Sequence, residues 1–390
     1  MIQKNFSCNR SLALLVLGFE LSLPVLADSA VVSAPRLQVT TTPIAVNRLV
    51  FSTNNQEARP AKSFTITNTG SSPLVLSALT LDAALQPPNA VPGRSRDYQR
   101  AQDFSLVNAP LLPLSLAAGE STRVAVQFLP QRRAFVGDGP THTTNGESYA
   151  TLNILSNDPE QPTLTVNLAG LDNPSYRGKN EPSVAEIARV FGWAIEIGTE
   201  NEILGGSKTL LGAEVYAPYW VQANPEQPVY LWPLAVYVGQ RTRPFGSTAL
   251  QASGGNSHTL YSFAGADNDD NAPGSNNASG GENQKLLPKI YIAGVNRPPQ
   301  PEDVAYTPNG PFQLVNGESY SDDTYNGPEQ VHSWRFFPVR KPDGMLIRDQ
   351  WYAIKETYGP ADLLTDVVDY EYNDAVFLLV NARPERTTAQ

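Results

Sequence analysis

Apolar residues fall at every second position along short runs in the first half of this chain, and that period constrains the fold most strongly. Phe64 and Ile66 alternate with Thr65 and Thr67, Val124, Val126 and Phe128 with Arg123, Ala125 and Gln127, and Leu164, Val166 and Leu168 with Thr163, Thr165 and Asn167. Successive side chains of a strand point to opposite faces, so this pattern belongs to strands with one face buried. Turn residues separate the runs, as in Asn68-Thr69-Gly70-Ser71-Ser72-Pro73 and Ala118-Gly119-Glu120. The 33 prolines and 28 glycines suit many short strands better than long helices. With 390 residues the chain exceeds the length at which one core stops growing, so two domains are expected. The expectation is an all-β protein of two packed sandwiches.

Residues 1–27 read as a secretory signal peptide: Lys4 and Arg10 supply positive charge, 12–19 an apolar core, and Val25-Leu26-Ala27 a small-residue cleavage site. Glu20 and Pro24 interrupt the apolar run short of the roughly 20 residues a membrane helix needs, which argues against an anchor. Cys8 precedes the apolar core, so lipid attachment is not expected. Once the signal is removed no thiol remains, which excludes disulfides, cysteine nucleophiles and cysteine-bound zinc. Removing Lys4, Arg10 and Glu20 takes 28 basic against 38 acidic side chains to 26 against 37. An acidic surface repels phosphate backbones and anionic lipid, so neither nucleic acid nor an anionic membrane is an expected partner.

Ser63-Phe64-Thr65-Ile66-Thr67-Asn68-Thr69-Gly70, Leu116-Ala117-Ala118-Gly119-Glu120, Ile154-Leu155-Ser156-Asn157-Asp158-Pro159 and Leu164-Thr165-Val166-Asn167-Leu168-Ala169-Gly170 together resemble the choice-of-anchor D modules of exported bacterial proteins. These are similar to sandwich domains of ciliary and spindle proteins. The resemblance covers roughly a third of the chain. It implies an immunoglobulin-like fold and a scaffold or adhesion role, and it brings no catalytic residues. Insertions over 86–102 and 130–145, the second with Arg132, Arg133 and His142, are either binding loops or solvated ones.

A short helix is expected after Asp172-Asn173-Pro174: Pro182 suits a first turn, Val184, Ile187, Ala188 and Phe191 recur at helical spacing, and Gly192 ends it. It reads as a connector burying one apolar stripe. The expected division is a signal peptide at 1–27, a linker at 28–36, a sandwich at 37–172, linker and helix at 173–192, a second sandwich-like domain at 193–384 and a tail at 385–390.

All five tryptophans lie in the second half, where 194–197, 213–221, 229–238, 289–293, 333–339, 350–355 and 375–381 read as strands. Pro233 should mark a bulge or an edge. Tyr219, Trp220, Tyr230 and Trp232 are candidates to stack on the C–H faces of sugars, against the alternative that these rings fill the core. Two long polar loops follow: 265–283, with Asp267, Asp269 and Asp270, and 318–326, with Asp322 and Asp323. The first begins like an EF-hand, but Ala272 and Ala278 replace the glycine and closing glutamate that motif requires. Calcium ligation or simple solvation remains for these acids. Asp369, Glu371, Asn373 and Asp374, just before the apolar strand 375–380, are further calcium candidates. A straight strand presents their oxygens too sparsely, so a turn or a second loop would have to complete the site.

Val331-His332-Ser333-Trp334-Arg335-Phe336-Phe337-Pro338-Val339, then Asp369-Tyr370-Glu371-Tyr372-Asn373-Asp374-Ala375-Val376-Phe377, and finally Asn381-Ala382-Arg383-Pro384 resemble a C-terminal module of exported bacterial proteins with a DYNDVVF-type strand. That resemblance implies export and a sandwich, and no chemistry. His142, His258 and His332 lie far apart without partners at zinc-ligand spacing, and no nucleophile elbow, phosphate loop or dinucleotide fingerprint occurs. A glycosidase would need only two carboxylates, for which Glu214, Asp369 and Glu371 can be nominated without support from spacing. Three readings stay open: an exported non-catalytic protein recognising a glycan or other envelope component, a structural or adhesion module pairing with a protein through a sheet edge, and a carbohydrate-active enzyme.

Overall fold

The computed structural model describes residues 34–41, 44–45, 47–54, 60–84, 101–130, 146–173, 182–198, 209–237, 245–253, 255–264, 284–327, 332–356 and 372–385. The signal-peptide reading, the insertions beyond those bounds and the 265–283 loop lie outside them. The regular secondary structure of the described residues is almost entirely strand, with one α-helix.

The first half contributes β1 (Leu37–Thr40), β2 (Arg48–Asn54), β3 (Ala61–Asn68), β4 (Leu74–Ala83), β5 (Phe104–Val107), β6 (Leu114–Leu116), β7 (Ser121–Phe128), β8 (Gly146–Ser156) and β9 (Thr163–Asn173). They form a four-stranded sheet in the order β1-β3-β7-β5 and a five-stranded sheet in the order β2-β9-β8-β4-β6. The period-two residues face inward as expected: Phe64, Ile66, Val124, Val126, Phe128, Leu164, Val166 and Leu168 belong to one buried cluster. At its centre Phe104 and Phe128 lie 5.1 Å apart, centroid to centroid, with Phe51 within 6 Å of both. The two sheets enclose this core as a β-sandwich.

The motif residues are explained by hydrogen bonding and close packing. Asn68 is buried, and its side chain accepts from the N–H groups of Arg36 and Gly70 while donating to the carbonyls of Ser72 and Leu116. A Cβ at Gly70 would meet the carbonyl oxygen of Ala34 at 2.1 Å, and one at Gly170 would meet the Phe128 ring at 2.4 Å. Asp158 is buried and accepts from the backbone N–H groups of Leu37 (2.7 Å), Glu160 (2.9 Å) and Gln161 (3.2 Å). It thereby pins the start of β1 to the β8–β9 turn. Asp158→Ala is expected to destabilise the fold by about 1–3 kcal/mol, since buried donors lose their acceptor; urea unfolding measures this directly.

The helix α1 (Val184–Val190) starts where the sequence places it, for a reason in its first turn. Ser183 Oγ accepts from Glu186 N, and the Glu186 carboxylate accepts from Ser183 N, a reciprocal capping box. Gly192, at φ +80°, turns the chain away as Trp193 N–H bonds to the Ala188 carbonyl. The expectation of a single buried stripe needs correction: every residue of α1 is buried, Glu186 and Arg189 included. Glu186 is held by the cap, and Arg189 forms a bidentate pair with Glu147 of β8, at 3.1 Å through Nε and 2.5 Å through the terminal nitrogen. Tyr149 donates to the same carboxylate at 2.6 Å.

The second half contributes β10 (Trp220–Gln222), β11 (Val229–Tyr237), β12 (Phe245–Ala252), β13 (Ser257–Phe263), β14 (Gln284–Leu286), β15 (Ile290–Ile292), β16 (Val295–Arg297), β17 (Ala305–Tyr306), β18 (Phe312–Asn316), β19 (Ser319–Tyr320), β20 (Trp334–Arg340), β21 (Leu346–Lys355), β22 (Ala375–Val380) and β23 (Ala382–Pro384). One sheet runs β14-β11-β22-β21-β20 with β17 also on β11, the other β16-β15-β13-β12-β18-β10-β23 with β19 on β18. Trp220 of the second sheet packs on Phe336 and Trp351 of the first, and Phe263 on Phe377. Pro233 sits at a register shift against β22, the bulge that its missing N–H demands. Of the expected strands, 213–221 is extended only from Trp220, and 194–197 makes a single bridge from Ala194 to Arg340.

Residues 34–390 form one compact unit. Val50, Tyr149, Ala169 and Leu171 of the first sandwich share an apolar cluster with α1 and the second sandwich. No helix among the described residues is long and apolar enough to cross a membrane.

Candidate functional site

The sequence candidates separate into different environments. Trp220 is fully buried and Trp232 is 7% exposed, so neither ring offers a face to a sugar. This corrects the stacking assignment, and the registers give the reason. Trp232 lies across from Leu378, which in turn lies across from Tyr352, and Tyr352 meets Trp193 beyond the end of α1. One face of this sheet is thus covered by the helix region and the other by the second sheet, which buries most of β11 on both sides. Tyr230 is half-buried against the same cluster.

Of the calcium candidates, Asp267, Asp269, Asp270, Asp369 and Glu371 lie outside the described residues. Asn373 is buried and donates to the Pro182 carbonyl at 2.8 Å, tying the entry of β22 to the start of α1. Asp374 is half-buried, and its carbonyl accepts from Tyr237 N. Among the described residues no three His, Cys, Asp or Glu side chains gather as a metal-binding group.

Tyr219 behaves differently, because the fold brings it to the 318–326 loop. Segment 209–219 runs beside β20, with Val215 N bonded to the Phe336 carbonyl, and Ser321 Oγ donates to the Pro218 carbonyl at 2.8 Å. Tyr219 lies near enough to Tyr325 and Asp322 that, after burial, both raise the pKa of its hydroxyl. Tyr320 lies 5.6 Å from Tyr325, and the Tyr216 ring stacks on His332 at 5.9 Å. Tyr216 is 46% exposed and Tyr325 59% exposed. Four tyrosines thus gather about Asp322 and Asp323, with two rings open to solvent.

The loop under these rings is tightly held. Asp322 Oδ1 accepts from both the N–H (3.0 Å) and the hydroxyl (2.7 Å) of Thr324, capping the 3-10 turn Asp323–Tyr325. The Asn326 side chain bonds to both backbone groups of Tyr320 at 2.8 Å and donates to Asp323 at 3.1 Å.

Beneath the patch lies a buried ionic network. His332 Nε2 is 2.8 Å from Glu214 Oε1, its Nδ1 is 3.5 Å from Asp323 Oδ2, and its backbone N–H donates to Asp323 Oδ1 at 2.8 Å. That last bond holds His332 in the left-handed region, at φ +58°. Glu214 also accepts from Arg335 at 2.6 Å and from Leu211 N at 2.8 Å. Arg335 lies over the Tyr372 ring at 4.7 Å, while the Tyr372 hydroxyl donates to the His332 carbonyl. Burial pushes the Tyr372 hydroxyl up to about 12 against the opposing Arg335 charge. Both imidazole nitrogens face carboxylates and Glu214 is saturated by donors. The network ties segment 209–219, the 318–326 loop and β20 together.

Burial lowers the His332 pKa, but hydrogen bonds to Asp323 and Glu214 outweigh it and leave it above the ordinary histidine value. For Asp323 burial acts upward, and hydrogen bonds from His332 and Asn326 carry it below the carboxylate range. The raised histidine stabilises the fold fully below the unfolded value of about 6.5, and this is lost as pH rises through the folded value. The depressed Asp323 contributes above about 3.9 and is lost as pH falls through its folded value. The pair is therefore expected to stabilise most between about pH 4 and 6.5. The urea midpoint should fall on passing to alkaline pH, and His332→Gln should flatten that fall.

No protein-family model and no curated protein matches this sequence. Several solved structures match this chain in part. One is a protein of unknown function from Porphyromonas gingivalis W83, at 15% identity and TM-score 0.23, covering 37% of this chain and 50% of that one. Another is the ASH / PapD-like domain 7 of human CEP192, at 13% identity and TM-score 0.24, covering 43% of this chain and 99% of that one. A third is the periplasmic chaperone SfaE, at 10% identity and TM-score 0.25, covering 80% of this chain and 96% of that one. This chain thus spans half the length of the Porphyromonas protein. At these scores the architecture rests on the strand registers above.

The site was partly visible beforehand, since Tyr219 and the Asp322–Asp323 loop both stand out in the sequence. Their meeting did not, and neither did the pairing of His332 with Glu214, 118 residues away.

Proposed function

We propose that this chain is an exported, non-catalytic binding protein that recognises a glycan of the cell envelope or its surroundings through Tyr216, Tyr219, Tyr320, Tyr325, Asp322 and Asp323. The observation that carries this reading is the pair of exposed rings, Tyr216 and Tyr325, set beside two carboxylates on an internally bonded loop. Tyrosine faces stack on sugar C–H surfaces, and carboxylates accept from sugar hydroxyls. A loop already fixed in place loses little further entropy when a ligand arrives. The signal-peptide features at 1–27 support export, and the saturated Glu214–His332–Arg335 network favours binding over catalysis.

The test is retention on immobilised polysaccharides, comparing wild type with a Tyr216→Ala, Tyr325→Ala variant whose melting temperature is unchanged. Retention that the double variant loses supports the reading. A failure to bind any envelope polysaccharide overturns it, and cross-linking to a protein partner would then favour the assembly role.

A further inference from the structure

Resting on the glycan-binding reading, we propose that the ligand of the tyrosine patch carries a protonated amine, so that an amino sugar with its nitrogen free is bound in preference to its N-acetylated counterpart. The charge balance of the patch leads to this. Glu214 is matched by Arg335 and His332, and Asp323 is tied to His332. Asp322 is different, because its hydrogen-bond partners are the neutral N–H and hydroxyl of Thr324, with Tyr219 beside it. It is half-buried beside the exposed Tyr325 and forms no ion pair among the described residues.

An anion held by neutral donors at the foot of open aromatic rings favours a cation on two counts. The carboxylate supplies Coulomb attraction in a partly desolvated place. The tyrosine faces carry the negative side of their quadrupole, which attracts an ammonium group further. The tyrosines register the same field: after burial, the negative charges of Asp322 and Asp323 raise the Tyr216 ionisation, and the Tyr325 hydrogen bond and the Asp322 charge raise that of Tyr219. None of the six side chains of the patch is cationic, the charge of His332 behind Tyr216 is met by Glu214 and Asp323, and the whole chain carries an excess of ten acidic groups. An amine approaching from solvent meets attraction both at long range and on contact.

The experiment is calorimetric titration of the full chain with a glucosamine oligomer and, separately, with the N-acetylglucosamine oligomer of equal length, at mildly acidic pH and low salt. The free-amine oligomer is expected to bind about tenfold tighter or better. Asp322→Asn keeps a competent cap for the 3-10 turn while removing the charge. It should abolish that preference, so that the free-amine oligomer binds no tighter than the acetylated one, with thermal melting confirming that the variant is folded. Equal affinities, or tighter binding of the acetylated oligomer, would overturn the amine inference while leaving the glycan reading in place. A preference that survives Asp322→Asn also overturns it, as does failure to bind either oligomer, while the glycan reading itself stands or falls on retention by the immobilised polysaccharides.

Discussion

Arg189→Ala is expected to lower the unfolding free energy by about 3–5 kcal/mol, the cost typical of removing one partner from a buried ion pair. Arg189 and Glu147 have side chains 7% and 0% exposed, so the carboxylate left behind would stay buried without its bidentate partner. Burial acts against the charge on Arg189, and the attraction of Glu147 outweighs it, so the guanidinium is held in its charged form. The effect should appear as a lower urea midpoint with little change in slope. A matched replacement, Glu147→Leu with Arg189→Met, should recover much of the loss, because hydrophobic residues of similar volume avoid desolvating two charges. If Arg189→Ala melts like wild type, the helix is not held to the first sandwich in the way these distances imply.

Glu214→Ala should have an effect of similar size, about 3–5 kcal/mol, and a second consequence that Arg189→Ala lacks. Glu214 receives Arg335, His332 and the Leu211 N–H, so its removal strips the fully buried Arg335 of the carboxylate 2.6 Å away. It also loosens the imidazole on which Tyr216 stacks. Stability and retention on polysaccharide should therefore fall together in Glu214→Ala, whereas Arg189→Ala, assayed well below its melting temperature, should keep wild-type retention. Glu214→Gln, which still offers one carbonyl oxygen, should lie between them. The two variants separate a network that supports the patch from one that supports only the fold.

Strands whose neighbours are near in sequence, or whose period is strict, were readable in advance. The alternation around Phe64, Val124 and Leu164 placed those residues in the core, and Pro233 announced its bulge. Short strands such as β16, β17 and β19 were not readable, because two or three residues carry no period and are defined by their partners. Trp220 and Trp232 show a similar limit. A large aromatic is equally suited to a core and to a binding surface, and only the covering of both faces of the β11 sheet decides between them. The candidate site was legible as separate fragments. Tyr219 and the Asp322–Asp323 loop are conspicuous, but their meeting depends on the Ser321–Pro218 hydrogen bond, a contact between distant segments that no local spacing encodes. The hexapeptide before β22 suggested calcium through its oxygens, yet its described part makes a joint: Tyr372 lies under Arg335, and Asn373 reaches the start of α1.

The apolar cluster that joins Val50, Tyr149, Ala169 and Leu171 to α1 and the second sandwich has a consequence for dissection of the molecule. A fragment ending after β9 would present those four side chains to water on the outer face of its five-stranded sheet, and a fragment beginning at α1 would present the complementary face. Patches of this kind drive self-association. The separated halves should therefore aggregate or recombine with each other in solution, while the intact chain unfolds in a single cooperative transition.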